Sequence, residues 1–416
     1  MNHQNPRVAA VVLAGGKGTR LFPLTLNHSK PAVVFGGRYR LIDIPISNAL
    51  NSEIRQIFVI GQYLTQELMH HLSQTYHFDQ FFPGMIDFLT PKGSGKVLFE
   101  GTADAIRKNL QQMLEISADY YLILSGDQLY NIDFKKMLNF TIENDADLTI
   151  ATLPVNVKEA PRMGIMHIGE KQNIVQFQEK PSLQELTHFE LKSEDGSSYY
   201  LGSMGIYIFK RQALIDLLQE DKREDFSKHL IPTAIKKGKT YAFLYDGYWE
   251  DIGTIESFYK ANLSLTTSSI ALKTYDERSP IFTPLNHLPG TKINKTDIKD
   301  SIICDGSIID AEKIEHSLVG LRSYIKKGTV IEDSVLLGNN YYISPFSHKD
   351  YLPERFEIGS HCHIQKAIID EHVFIGNNVT LVNKNNLLQY DGDNIYVRDG
   401  IIIVPSGTYI PNGFTF

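Results

Sequence analysis

The sequence predicts an α/β protein in two parts, a mostly parallel sheet flanked by helices and then a parallel β-helix. Short apolar runs alternate with helix-periodic segments as far as residue 265, Ser and Pro gather between 266 and 290, and beyond 291 apolar residues recur every six positions. Each of these patterns accounts for one stretch of the chain.

The first runs are VAAVVL (Val8 to Leu13), QIFVIG (Gln56 to Gly61) and YYLILS (Tyr120 to Ser125), nearly continuous in apolar residues, as strands buried on both faces are. Between them, Thr65 to Ser73 and Thr102 to Leu114 read as helices. In the second, Ile106, Leu110, Met113 and Leu114 fall at helical spacing behind Thr102 as the expected cap. Strand, helix, strand alternation implies parallel pairing. The runs end in Gly15 to Arg20, in Gln62 and Tyr63, and in Asp127. Open α/β sheets bind ligands beyond the carboxyl ends of their strands, so these segments are expected to converge on one site. Further strands are expected at Asp147 to Val155, Asn173 to Lys180 and Met204 to Phe209, which assigns 1–265 to one catalytic domain.

Residues 266–290, with Ser268, Ser269, Pro280, Pro284 and Pro289, read as a linker. In 291–416 the repeat of six runs through Ile302, Ile308, Ile314; Val319, Ile325, Ile331, Leu337; Ile358, Ile364; and Ile369, Ile375, Leu381. Steps of six with phase slips fit one short strand per face of a triangular coil. A β-sandwich with accidental sixes is the alternative; Gly320, Gly328, Gly338, Gly359 and Gly376 favour the coil.

The composition, 42% hydrophobic and 21% charged, is that of a soluble globular protein. A net charge of -7 without a long Lys/Arg run argues against nucleic acid or an anionic membrane as the main partner. The start, MNHQNPRVAAVVLAGG, has no basic region followed by a long apolar segment, and no run of about 18 apolar residues occurs. A cytoplasmic location is expected. Cys304 and Cys362 lack CxxC spacing and read as small buried hydrophobes.

LAGGKGTRLFPLTLNHSKPA (Leu13 to Ala32) is the first stretch with chemical character. Gly15, Gly16 and Gly18 followed by Thr19 and Arg20 fit neither GxxxxGK[ST] nor GxGxxG. The glycines still let a backbone approach closely and aim N–H groups at an anion. Arg20 adds a planar bidentate cation and Lys30 a mobile point charge, both suited to a polyphosphate. Asp127 in SGDQLY and Asp251 in YWEDIGT offer two carboxylates, which together with substrate phosphates suit Mg²⁺. EKP supplies Glu179 for hydroxyl groups and Lys180 for a second phosphate. The fourteen histidines, among them His70, His71, His361 and His363, form no nucleophilic motif with Ser or Cys and read as surface or packing residues.

Together LAGGKGTRLFPLT, KPAVVFGGRYRLIDIPISNALNS, GTADAI, SGDQLY, EKP, GSMGIYIF and YWEDIGT resemble, in order and separation, the sugar nucleotidyltransferases and within them the glucose-1-phosphate adenylyltransferases. The likeness spans nearly the whole chain. It implies a Rossmann-like mixed, mostly parallel catalytic domain followed by a left-handed parallel β-helix, assembled as a homotetramer. The implied reaction joins ATP and α-D-glucose 1-phosphate into ADP-glucose and pyrophosphate with Mg²⁺, for glycogen or starch synthesis. By motif position, Arg20 and Lys30 would hold the ATP phosphates and Asp127 and Asp251 the metal. Gly15, Gly16, Gly18, Thr19, Gln62, Gly101 and Thr102 would line the nucleotide, and Phe99, Gly164, Glu179, Lys180 and Ser203 the glucose 1-phosphate. The attacking phosphate oxygen is already ionised, so catalysis reduces to aligning two anions and stabilising the departing pyrophosphate.

The sequence also departs from the family pattern. Phe99 stands where many members have Tyr, Glu100 where Gln or Arg is usual, and Met163 where Phe is common. Asn27 and Ser406 occupy positions where members carry activator-binding lysines, leaving Arg40 and Arg398 as candidate ligands for a sugar-phosphate or phosphate effector between the domains. A weak or altered activator response is expected. The alternatives are a thymidylyl- or uridylyltransferase, against which the GTADA and GSMGIY blocks favour ATP; a noncatalytic regulatory subunit; and an acyltransferase using His316, His361 or His363. Regulatory subunits typically lose Arg or Asp positions, yet Arg20, Lys30, Asp127, Lys180 and Asp251 are all kept.

Overall fold

The computed structural model describes residues 6–91, 98–269, 271–343 and 355–416. Strand Val8–Leu13 is central because both of its faces are covered: Ala9 and Val11 enter one core, Ala10 and Val12 another, all at 0% exposure. It pairs in parallel with Gln56–Ile60 and Tyr120–Ser125, and Gln56–Ile60 pairs in parallel with Met85–Leu89. Beyond Tyr120–Ser125 the pairing changes. Ser198–Lys210 runs antiparallel to Tyr120–Ser125, Leu148–Val155 and Gly164–Ile168, and Ile174–Glu179 forms the edge. The sheet is thus mixed, and parallel on the side that carries the glycine-rich loop. The strand expected at Met204 to Phe209 is the second half of Ser198–Lys210, whose pairing with Leu148–Val155 shifts register between Ser203 and Tyr207 around Gly205, at φ 70°.

Helices Thr65–Thr75 and Thr102–Leu114 lie where the periodicity put them, but the second begins differently from the expectation. Its cap is Gly101, not Thr102. The Thr102 hydroxyl oxygen instead accepts from the Phe226 amide at 3.0 Å, and the Glu224 carbonyl accepts from Ala103 N at 2.8 Å. A Cβ on Gly101 would lie 2.3 Å from that carbonyl, so only glycine lets the Glu224 segment close over the helix start.

After helix Ile255–Ser264, opened by a Thr254/Ser257 capping box, residues 265–291 have no helix or strand among the described residues. They are nevertheless laid against the first domain. Leu272 is buried, the Phe282 amide donates to Ser47 Oγ at 2.8 Å, and Asn51 Nδ2 donates to the Pro280 carbonyl at 3.0 Å.

Beyond Lys292–Ile293 the chain winds as a coil of short, mostly parallel strands stacked on three faces, interrupted where Tyr396–Arg398 pairs antiparallel with both Gln389–Asp391 and Ile401–Val404. Lys292 pairs with Ile308 and Ile308 with Tyr324, so these coils advance by 16 residues. Ile314, Ile331, Ile364 and Leu381 lie in successive paired strands, each at 0% exposure. The turns need glycine where coils touch: a Cβ on Gly320 would sit 2.3 Å from the Leu337 carbonyl.

Three of the expected sixes are off phase. Ile309 rather than Ile308 fills the interior, and Ile302 and Leu337 face the first domain. Apolar side chains occur on both sides of that wall because its outer side docks. Leu318, Val335, Leu337, Ile368, Ile401 and Ile403 pack with Leu21, Phe35, Ile255, Phe258 and Tyr259 in one core. At the junction Gly37, at φ 70°, accepts from Leu321 N at 3.1 Å, and a Cβ there would lie 2.8 Å from Gly320 Cα. Cys304 and Cys362 are buried and unpaired. No helix among the described residues is long and apolar enough to cross a membrane.

Candidate functional site

The carboxyl ends of the three parallel strands open on one cleft of about 420 Å³. Its wall combines Gly15, Gly16 and Lys17 after the first strand, Gln62 and Tyr63 after the second, and Ser125 and Asp127 at the third, with Phe99, Gly101 and Thr102 opposite. Gln62 stitches these pieces together: Nε2 donates to the Gly15 carbonyl at 3.0 Å and Oε1 accepts from Phe99 N at 2.7 Å. A Cβ on Gly16 would meet nothing within 4 Å, which leaves its backbone open to a ligand. Gly18 turns the chain at φ 64°, held by Thr25 Oγ1 donating to its carbonyl at 3.0 Å, and Thr19 begins a short 3₁₀ turn that carries Arg20. The amides of Ala103 and Asp104 are both directed at the Glu224 carbonyl. The loop glycines, rather than that helix start, therefore offer the backbone donors for an anion.

Charge gathers at one end of the cleft. Strand Gln128–Tyr130 pairs antiparallel with Trp249–Asp251, setting Asp251 opposite Gln128 and so beside Asp127. This two-stranded ribbon joins carboxylates far apart in sequence. The buried Lys30 ammonium pairs with Asp127 Oδ2, and Ser125 Oγ donates to Asp127 Oδ1. Arg20 approaches from the glycine loop: a Cβ on Gly253 would stand 2.8 Å from Asp251 Oδ2 and 3.5 Å from both terminal nitrogens of Arg20. Burial and the Asp127 carboxylate raise the Asp251 pKa, partly offset by Lys30, Arg20 and Lys180. Two carboxylates in mutual repulsion with open lone pairs can hold a divalent cation.

Glu179 and Lys180 leave strand Ile174–Glu179 on the same side as these groups, since Lys180 acts electrostatically on Asp251. Lys180 has a left-handed backbone, φ 49°, uncommon for a side chain with a Cβ and held by its amide donating to the Met163 carbonyl at 3.0 Å. Its ammonium lies 3.6 Å from Glu179 Oε1. Burial raises the Glu179 pKa, Lys180 opposes this, and Asp225 adds to it. Gly164 is pressed against the same carboxylate, 2.8 Å from a Cβ position to Glu179 Oε2, and Ser203 is buried with its Oγ accepting from Gly205 N at 3.2 Å. Phe99 lies apart from this group, on the wall shared with Gln62.

The two arginines expected between the domains have separate surroundings. Arg40 is buried, donates to the Ala32 carbonyl, and pairs with Glu67 at 2.8 Å and Glu371 at 3.5 Å. It lines an interdomain cavity of about 310 Å³. Arg398 lies outside that lining; it donates to Val397 O at 2.8 Å and Asp391 at 2.5 Å and stacks 5.6 Å from the Phe22 ring. The histidine expectation also needs correction: His28 and His71 are buried acid partners, Nδ1 of His28 2.7 Å from Glu67 and Nε2 of His71 2.6 Å from Asp43. Ser125, Lys17 and Gly253 are site residues not singled out from the sequence. For Ser125 the signal was its place two residues before Asp127; for Gly253 only the fold shows it.

Residues 9–268 match the family model for nucleotidyl transferase, and residues 286–415 match that for the GLGC left-handed parallel beta-helix domain. The strand-end cleft lies wholly in the first match and the stacked coils in the second. The chain therefore belongs to the nucleotidyl transferase family, with the two-domain signature of glucose-1-phosphate adenylyltransferases.

Proposed function

We propose that the protein transfers the adenylyl group of ATP to α-D-glucose 1-phosphate, forming ADP-glucose and pyrophosphate. The observation that carries this reading is the meeting of Lys30, Asp127, Asp251 and Arg20 at one end of a cleft floored by Gly15 and Gly16. An oxygen of the sugar phosphate forms a bond to the α-phosphorus, and the bond from that phosphorus to the bridging oxygen breaks, its electron pair leaving on pyrophosphate. The nucleophile is already ionised, so the site requires no general base. Arg20 and Lys30 neutralise the phosphate chain, while the loop amides hold it from the other side. Gln62 fixes the loop against the Phe99 wall and so shapes the seat for the base. Glu179 accepts sugar hydroxyls and Lys180 holds the second phosphate.

The Asp127 and Asp251 carboxylates fit Mg²⁺, since burial and Asp127 leave Asp251 short of positive charge. When bound, the ion would supply charge neutralisation across the phosphates. The family resemblance extends the reading to a homotetramer supplying ADP-glucose for α-glucan synthesis in the cytoplasm.

The test is pyrophosphate release by purified protein with glucose 1-phosphate and each nucleoside triphosphate in turn. ATP is expected to exceed UTP and dTTP by at least about tenfold. Asp127→Asn is expected to lower the ATP rate by roughly 100-fold or more. Equal or better use of UTP or dTTP would move the assignment to another nucleotide, and full activity in Asp127→Asn would remove its metal role.

A further inference from the structure

We infer that His28, Asp370 and Glu371 form a site for a divalent transition-metal ion of the Zn²⁺ class, clamping the catalytic loop to the β-helix. His28 lies between Arg20 and Lys30 in the first domain, whereas Asp370 and Glu371 follow the coil strand Ala367–Ile369. One ligand atom from each lies within 4.8 Å of the others, and the residues are only 8%, 4% and 3% exposed. Ligands about 2.0–2.2 Å from a tetrahedral Zn²⁺ stand about 3.3 Å apart. His28 Nε2 is 3.9 Å from Glu371 Oε2, so that pair is near this spacing already.

An independent observation points to a ligand. His28 Nε2 is buried and has no hydrogen-bond partner among the described residues. Its other nitrogen, Nδ1, lies 2.7 Å from Glu67 Oε2, and Arg40 holds Glu67 Oε1 at 2.8 Å. A carboxylate at Nδ1 fixes a proton there, so Nε2 is the nitrogen that offers a lone pair once an ion displaces its proton, the arrangement that orients metal-bound histidines. The acids are set up similarly. Glu371 Oε1 accepts from Asn340 Nδ2 at 2.9 Å, leaving Oε2 toward His28. Each Asp370 oxygen accepts one backbone amide, from Glu371 at 2.7 Å and Ser406 at 3.1 Å, which leaves a lone pair on each.

Charge balance agrees. Among the described residues, Glu67, Asp370 and Glu371 face one permanent cation, Arg40. Burial alone would lower the His28 pKa, yet the Glu67 hydrogen bond and the surrounding carboxylates raise it to about 9. Burial pushes the Asp370 carboxyl up to about 7. A divalent ion would supply the missing positive charge and release the His28 proton. One imidazole with two carboxylates suits Zn²⁺ better than Mg²⁺, which prefers all-oxygen sites. Lys30, two residues beyond His28, pairs with Asp127, so the clamp would join domain docking to the placement of a phosphate-binding residue.

The experiment uses full-length protein, chelator-treated and then titrated with ZnCl₂ in excess Mg²⁺. Wild type is expected to bind one more Zn²⁺ equivalent than His28→Gln, Asp251→Asn to keep that equivalent, and Glu67→Gln to keep it with roughly 10- to 100-fold weaker affinity. Equal stoichiometry in wild type and folded His28→Gln would overturn the site. If His28→Gln fails to fold, anomalous diffraction from zinc-soaked wild-type crystals decides: a peak bounded by His28 Nε2, Asp370 and Glu371 supports the inference, and no peak there at saturating zinc refutes it.

Discussion

Replacing Asp251 by Asn is expected to stabilise the protein while abolishing its chemistry. Among the described residues the Asp251 carboxylate accepts no hydrogen bond, and burial together with Asp127 raises its pKa despite the attraction of Lys30, Arg20 and Lys180. The substitution keeps the shape and removes a charge that costs the fold energy. Asp251 is half-buried, so solvent offsets part of the about 1–3 kcal/mol that a fully buried, unpartnered polar group costs, and a gain of about 1 kcal/mol or less is expected. In a protein of this size that corresponds to a Tm higher by about 2 °C or less. The pH dependence carries a definite sign. Because the folded pKa is raised, native protein binds this proton more tightly than the unfolded chain. Wild-type stability therefore falls as pH rises from the ordinary carboxylate value through the folded one, and stays reduced above it. Asn lacks that slope. Melting curves in chelator should coincide near the acid end and separate toward pH 8, with the variant higher, and Mg²⁺ should raise only the wild-type curve. A variant that melts lower than wild type at pH 8, or that keeps near-normal pyrophosphate release, would refute the reasoning.

Lys30→Met should lower kcat by roughly 100-fold or more and cost about 3 kcal/mol at pH 8, because it strands the Asp127 carboxylate; urea denaturation and steady-state rates measure both. Gly37→Ala combines a left-handed φ of 70° with a 2.8 Å approach to Gly320 Cα. It should cost about 2–4 kcal/mol and split denaturation into two transitions as the domains separate; an unchanged single transition counts against the docking described. Fructose 1,6-bisphosphate and 3-phosphoglycerate should each stimulate by less than the ~5-fold at the low end of allosteric coupling, since Arg40 is already engaged by Glu67 and Glu371. Strong activation by either contradicts this.

Much of the cleft was legible because its parts sit at the ends of doubly buried strands, where apolar runs stop abruptly at Gly15, Gln62 and Asp127. Helix Thr102–Leu114 was legible by period, yet its cap was not, because the competing acceptor, the Glu224 carbonyl, lies more than a hundred residues away. Strands Gly164–Ile168 and Thr240–Leu244 gave no run comparable with the central three and were not anticipated; pairing within the sheet defines them. The coil's repeat was plain, but Ile302 and Leu337 answer to the docking wall rather than the interior, and a period cannot distinguish two apolar sides of one strand. Arg40 and His28 show the widest gap. Their carboxylate partners, Glu67, Asp370 and Glu371, come from a distant helix and the other domain, and nothing local marks the association.

The central claim is that Lys30, Asp127, Asp251 and Arg20 serve adenylyl transfer to glucose 1-phosphate. Incubating the purified full-length protein with ATP, glucose 1-phosphate and Mg²⁺, and quantifying both products, tests it most directly. The account predicts ADP-glucose and pyrophosphate in equal amounts, with both lost together in Asp127→Asn. Wild-type protein that forms neither product, or pyrophosphate without ADP-glucose, would contradict it.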